Sequence, residues 1–319
     1  MHRKLLYLFL AVFVISCDNK SGLEKEIEKV PVDFEVVRFD RKFANVTVET
    51  LPELKAEYPF LFPERFTDSV WHERINDSIQ QELNIEVTSA FQDFSAEEDK
   101  LHSLFQHIKY YFPQFEAPTV ITITSEVDYR NKVLVADPYL FISLDTYLGE
   151  SHPFYLGIQH FLKKNFERNQ ILPDVAAGYA EKYVPKPESR IFLAHMIYYG
   201  KILYLKDIWL PETEEHHKLG YTPEELKWAE ENEEYIWRYF VEREVLYDTD
   251  SQLYSRFLYP APFSKFYLEL DNESPAMLGQ YTGLKIVRQY MDRTGASLEE
   301  MLQADAETIF KQSNYKPRK

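Results

Sequence analysis

The chain has 319 residues, of which 45% are hydrophobic, and its formal net charge is −16. This length is enough to bury a substantial core, in one large domain or two smaller ones. The acidic balance leaves no basic face for nucleic acid, so we exclude nucleic acid as a partner. The sequence has nine glycines and contains neither a GxxxxGK[ST] phosphate loop nor a GxGxxG motif, so it predicts no nucleotide site of either kind.

The first 16 residues are typical of a bacterial secretory signal. Arg3 and Lys4 give a basic start, and the apolar run at residues 5–15 is too short to span a bilayer. The run ends in Ser16 and Cys17, a pattern that resembles the lipobox, where the peptide is cleaved before the cysteine and the cysteine is lipidated. Cys17 is the only cysteine, so no internal disulfide can form. We predict a signal peptide at residues 1–16 and a lipid anchor at Cys17; an ordinary signal peptide or a buried cysteine is the alternative.

The first half of the mature chain has a charged start followed by strand and helix patterns. Residues 17–30 are highly charged and cannot bury a core, so we interpret them as a tether. One helix-rich domain is predicted over residues 31–319. Alternating apolar residues at 32–36 predict a strand that ends near residue 39. Helix patterns are predicted at residues 51–58, 68–91 with Thr67 as N-cap, and 95–112.

A block of β-branched residues interrupts these helices. Residues 119–124 predict one strand, and residues 132–136 and 139–144, separated by Asp137-Pro138, predict a hairpin. Together with the first strand they would form one small sheet. Because helical patterns flank this block on both sides, the predicted fold class is α+β, a mostly helical single domain with one small β-sheet.

The most apolar stretch of the mature chain, residues 191–205, predicts a central buried helix. A helix that is apolar on all sides must be buried on all sides, and this one is too short to span a membrane. Pro187 and Pro211 limit its ends. Further helix patterns lie at residues 154–166, 174–183, 222–244, 275–292 and, as one helix or two, after Ser297; residues 248–275 are predicted to be irregular.

The central helix contains a histidine but no zinc motif. A gluzincin peptidase needs HExxH, in which two histidines share one helix face and the glutamate is the general base. Here the motif position is occupied by His195-Met196-Ile197-Tyr198-Tyr199. The base and the second ligand are therefore both missing. We predict no catalytic residue, no metal ligand and no cofactor.

Other polar and aromatic residues allow two interpretations each. His195, Tyr199 and Lys201 are either core residues with satisfied hydrogen bonds or the polar groups of a ligand pocket, because buried polar groups need partners. His216 and His217 are adjacent, and neighbouring side chains on a helix are not expected to converge on one ion. The aromatic-rich residues 254–267 are predicted to form either packed core or a binding surface.

Three features together resemble a known family. The lipobox at Cys17, the apolar segment 193–211 and the segment 274–291 are similar to the gliding-motility lipoprotein B (GldB) family. The resemblance implies a lipid-anchored protein of the cell envelope, exposed outside the cytoplasm and needed by the motility machinery. It implies no reaction. A second similarity, to the gluzincin layout of a small sheet, a helix bearing His195 and a late helix with Gly279 and Gly283, implies a related fold without the zinc chemistry.

These observations lead to two expectations for function. The first is a non-enzymatic envelope protein that takes part in gliding motility, bound to the membrane through lipidated Cys17 and acting on other envelope or motility proteins by contact. The alternative is an envelope hydrolase or small-ligand-binding lipoprotein with an unrecognised site.

Overall fold

The computed structural model describes residues 22–269 and 271–317. The predicted signal peptide and Cys17 lie outside the described residues. Four strands are described: β1 Val36–Val37, β2 Thr119–Ile123, β3 Val133–Ala136 and β4 Tyr139–Ser143. The α-helices are α1 Gly22–Ile27, α2 Phe39–Ala44, α3 Leu51–Glu57, α4 Asp68–Asn76, α5 Ser78–Ala90, α6 Ser95–Tyr111, α7 His160–Lys163, α8 Ile171–Tyr183, α9 Phe192–Trp209, α10 Glu215–Leu219, α11 Pro223–Glu231, α12 Glu233–Glu242, α13 Gln252–Phe257, α14 Leu278–Thr294, α15 Leu298–Gln303 and α16 Ala306–Ser313. The predicted α+β fold class is confirmed.

The sheet separates a large core from a small one. Its strand order is β1-β2-β4-β3, with β1, β2 and β4 parallel and β3 antiparallel to β4. Val120 and Leu140 face the large core, and their neighbour Ile121 faces a small core formed with α2, α3 and α4. The predicted hairpin is confirmed, with a cis bond between Asp137 and Pro138. The alternation of strand residues thus supplies apolar side chains to both faces.

The first strand is shorter than predicted, and side chains of α6 hydrogen-bond to the chain before it. Gln106 donates to the carbonyls of Glu28 and Val30 at 2.8 and 3.0 Å, and Lys109 donates to that of Pro31 at 3.1 Å. These bonds satisfy backbone carbonyls of residues 28–31, which precede the predicted strand. Within the predicted first strand, Val36–Val37 is the part that pairs with β2.

The prediction of a tether up to residue 30 is wrong for its second half. Residues Gly22–Ile27 form α1, and Ile27 is only 1% exposed. Glu24 lies 3.2 Å from Nε2 of His107 on α6. One buried isoleucine and polar partners on α6 therefore fold a stretch whose overall charge indicated a tether.

Two predicted long helices are each broken in two. The helix predicted over residues 68–91 is divided at Asp77, whose carboxylate accepts from the Gln80 N–H at 2.7 Å and caps α5. Thr67, the predicted cap, makes no cap hydrogen bond. The helix predicted over residues 222–244 begins with a confirmed capping box, Thr222 with Glu225, but is divided at Asn232.

The helix predicted over residues 154–166 is reduced to α7. Gly157 has a φ of +88°, which is outside the helical region, and the chain turns there before α7 begins.

Helix α9 lies in the large core as predicted and is crossed by α14. A Cβ atom on Gly200 would lie 2.4 Å from the carbonyl of Gly283, and one on Gly283 would lie 2.0 Å from the Met196 carbonyl oxygen. The two backbones therefore touch, which only glycine permits. None of the described helices is long and apolar enough to cross a membrane.

Candidate functional site

Two of the predicted polar residues of α9, His195 and Tyr199, lie at its partly exposed side. The His195 ring is 4.4 Å from the ring of Tyr254, centroid to centroid, and burial lowers the pKa of His195. Burial raises the pKa of Tyr199 to about 12. At neutral pH both side chains are therefore uncharged, and His195 packs mainly as an aromatic residue.

Lys201 lies on a different part of α9. Its Nζ donates to the carbonyls of Leu302 and Ala304, at 2.9 and 2.7 Å, just where α15 ends. It is 7% exposed, and burial lowers its pKa to about 8. The partners of Lys201 are thus backbone carbonyls, as expected of a core residue whose hydrogen bonds are satisfied.

Lys201 also lines a cavity of about 670 Å³ between the segment before α9 and the α15–α16 turn. Tyr198 lines this cavity, but His195 and Tyr199 do not. The structure therefore does not bring the three predicted residues into one pocket.

At the position where a gluzincin has its general base, this chain has Met196, which packs in the core. Met196 is 0% exposed, and its carbonyl lies against Gly283 at the crossing of α9 and α14. Tyr199 occupies the position of the second metal ligand. The side chains at these two positions offer neither a carboxylate nor an imidazole.

A different group of potential ligands comes together just after α9. The rings of His216 and His217 on α10 are 4.0 Å apart, with an interplanar angle of 39°, and Nδ1 of His216 is 3.2 Å from Oε2 of Glu214. One ligand atom from each of these three residues lies within 4.8 Å of the others. The rings of His216 and His217 thus lie closer together than the sequence analysis expected. The helix-face argument considers only the Cβ directions, whereas the side-chain torsions bring the two rings together.

The backbone that carries this group is held by a network of ion pairs. Arg288 on α14 makes two bonds to Asp207, at 2.7 and 2.9 Å, and one to Glu215 at 2.6 Å. Although burial opposes it, these bonds raise the pKa of Arg288 above its ordinary value. Lys218 lies 3.2 Å from Asp207. Helix α10 is thus tied to both α9 and α14.

A buried lysine completes this attachment. Nζ of Lys206 donates to the carbonyl of Lys218, and burial lowers the pKa of Lys206 to about 8. Gln170 donates to the carbonyl of His217 at 3.1 Å. Lys206 on α9 and Gln170 therefore both bind backbone carbonyls of α10.

An acidic cavity of about 440 Å³ lies beside this group, between α6 and the turn after α9. His217 and His107 line it, and Lys100 is the one lysine or arginine among the described residues of its wall. Its carboxylates come from Glu24, Glu28, Asp99, Glu212 and Glu214. Burial, with a contribution from His216, lowers the pKa of His217, so its imidazole is neutral at pH 7.

The aromatic segment predicted as either core or surface contains both. Phe257, Leu258 and Phe266 are buried in the large core. Tyr267 and Leu268 are 69% and 59% exposed, and the Arg256 guanidinium lies 4.4 Å from the centre of the Tyr267 ring.

A comparison with known protein families identifies the family of this chain. A family model described as gliding motility protein GldB matches residues 20–317. The chain belongs to the GldB family. Membership supports involvement in gliding motility and lipoprotein character, as the sequence resemblance implied. Neither a curated protein nor a solved structure gives a significant match.

Proposed function

We propose that this GldB-family chain is a lipid-anchored component of the cell envelope that serves gliding motility through protein contacts and not through catalysis. The observation that carries the proposal is the family match, which extends over residues 20–317. The buried Met196 and the half-buried Tyr199, at the positions where a gluzincin has its base and second ligand, support the non-catalytic part.

The exposed end of the aromatic segment is the contact surface that we favour. Tyr267 and Leu268 are adjacent and exposed, and Arg256 stacks on Tyr267. Tyrosine and arginine are enriched where protein interfaces carry most of their binding energy. Arg256 also donates to the Lys265 carbonyl at 2.9 Å, which fixes the guanidinium before any partner binds.

The test places a photo-cross-linking amino acid at position 267 of the full-length protein in a gliding strain. We expect a cross-link to a motility protein that is absent when the same group is placed at Glu64, an exposed residue near the small core. Tyr267→Ser together with Leu268→Ser should reduce gliding while the protein level stays constant. The same cross-links at both positions, with unchanged gliding, would contradict this surface.

The cavity beside Lys201 favours the alternative, a small-ligand-binding lipoprotein. Its volume of about 670 Å³ lies in the range of ligand pockets. If Lys201→Met abolished gliding at normal protein level while the Tyr267 and Leu268 double variant glided normally, the ligand-binding function would replace the contact function.

A further inference from the structure

We propose that Glu214, His216 and His217 bind one divalent transition-metal ion of the Zn²⁺ type. Two imidazole nitrogens and a carboxylate oxygen form a donor set that zinc uses in proteins. Mg²⁺ and Ca²⁺ favour oxygen ligands alone, so the two histidines select the class of metal. This inference does not depend on the proposed role in motility.

The distances between the ligand atoms fit such an ion after small side-chain rotations. With metal bonds of about 2.0–2.1 Å, tetrahedral ligand atoms lie about 3.4 Å apart. Nδ1 of His216 and Oε2 of Glu214 already lie 3.2 Å apart, and the three ligand atoms lie within 4.8 Å of one another. Movements of about 1 Å would close the site, and the Glu214 side chain, which is 76% exposed, can make most of this movement, whereas that of His216 is only 13% exposed.

The His217 imidazole has no competing partner. Neither of its ring nitrogens hydrogen-bonds to another residue of the described chain, whereas the backbone carbonyl of His217 is bound by Gln170. A ligand whose backbone is fixed and whose ring nitrogens are free loses little on binding a metal. The ion pairs of Arg288 and Lys218 hold the rest of α10 in the same way.

The surroundings favour a cation. Glu214 and His217 both lie on the wall of the acidic cavity, which also receives carboxylates from Glu212 and Asp99. Water would complete the coordination, because three protein ligands leave at least one position open.

The test is calorimetric titration of the chelator-treated full-length lipoprotein in detergent with Zn²⁺. We expect one Zn²⁺ per chain and a higher melting temperature with the metal, because an ion that binds only the folded state stabilises it. His216→Ala, His217→Ala and Glu214→Gln should each weaken binding by about tenfold or more. His72→Ala on α4 is the matched control and should leave binding unchanged.

The variants separate the site from nonspecific binding. Without metal, the melting temperatures of His217→Ala and Glu214→Gln should stay close to that of the parent, since Glu214 is exposed and makes no cap hydrogen bond and the His217 ring makes no hydrogen bond to a described residue. Visible d–d absorption on adding Co²⁺ should appear in the parent and be lost in His217→Ala. The proposal would be overturned if the parent did not bind Zn²⁺, if the three variants bound Zn²⁺ as tightly as the parent, or if the parent bound Ca²⁺ as tightly as Zn²⁺.

Discussion

Lys201 shows how a buried charge can be retained in an apolar helix. Removing an ammonium from water is costly, and the two carbonyls at the end of α15 return only part of that cost, so the pKa falls to about 8. Lysine near a helix C-terminus is also favoured by the helix dipole. The two hydrogen bonds from Lys201 therefore stabilise the α15–α16 turn, while burial makes the ammonium group easier to deprotonate.

Lys201 should make stability depend on pH. Its pKa is lowered from 10.5 to about 8 in the folded state, so between these values the unfolded chain binds more protons and the free energy of unfolding rises with pH. Lys201→Met removes this dependence. Between pH 7 and pH 10, the free energy of unfolding of the parent should therefore rise by on the order of 1–2 kcal/mol relative to that of the variant. Urea unfolding of both proteins at the two pH values measures the difference; a constant difference would contradict a lowered pKa.

His195 should contribute through packing and through a hydrogen bond to the Ser189 backbone, and not through chemistry. Replacing it with alanine removes the ring contact with Tyr254, so we expect unfolding to become easier by about 0.5–1.5 kcal/mol. His195→Phe keeps an aromatic ring and should recover most of this loss. Gliding should persist in both variants once their protein levels match the parent. Loss of gliding in a stable His195→Phe protein would instead indicate a chemical role for the imidazole.

At the level of elements, the sequence predicted which helices and strands are buried better than it predicted where the helices begin and end. Apolar periodicity identified α9 and the strands, because burial and periodicity have the same physical cause. The breaks at Asp77 and Asn232 were missed, since either residue is also compatible with a continuous helix. The close approach of the His216 and His217 rings was also missed, because the helix-face argument fixes the Cβ directions but not the side-chain torsions that bring the rings to 4.0 Å.

The crossing of α9 and α14 should tolerate no side chain larger than hydrogen at its centre. Gly283→Ala would place a Cβ atom 2.0 Å from the Met196 carbonyl oxygen. The two helices must then move apart. We expect the free energy of unfolding to fall by about 3 kcal/mol or more. This is more than overpacking usually costs, because the backbone itself must move.

The matched control is Gly22→Ala, where a Cβ atom meets nothing within 4 Å. That change should be neutral or stabilise by up to about 1 kcal/mol through helix propensity. Equal melting temperatures for the two variants would show that the crossing is looser than the distances imply.

For the whole molecule, Cys17 is predicted to determine location. Cys17→Ser removes the only thiol of the chain, so the protein should incorporate no labelled fatty acid and should leave the membrane fraction. A thiol restored nearby, as Ser21→Cys in the Cys17→Ser background, lies outside the lipobox spacing and should not rescue lipidation. Unchanged labelling of Cys17→Ser would place the anchor elsewhere.

The folding of α1 sets an upper limit on height above the bilayer. A tether ending at residue 30 would let the body move some 45 Å from a lipidated Cys17, at about 3.5 Å per extended residue. Because Gly22–Ile27 is helical and Ile27 is buried, five residue steps separate the predicted anchor Cys17 from the first residue of α1, and such a segment spans about 17 Å at most. The start of α1 would therefore stay within about 17 Å of a lipid attached at the predicted anchor.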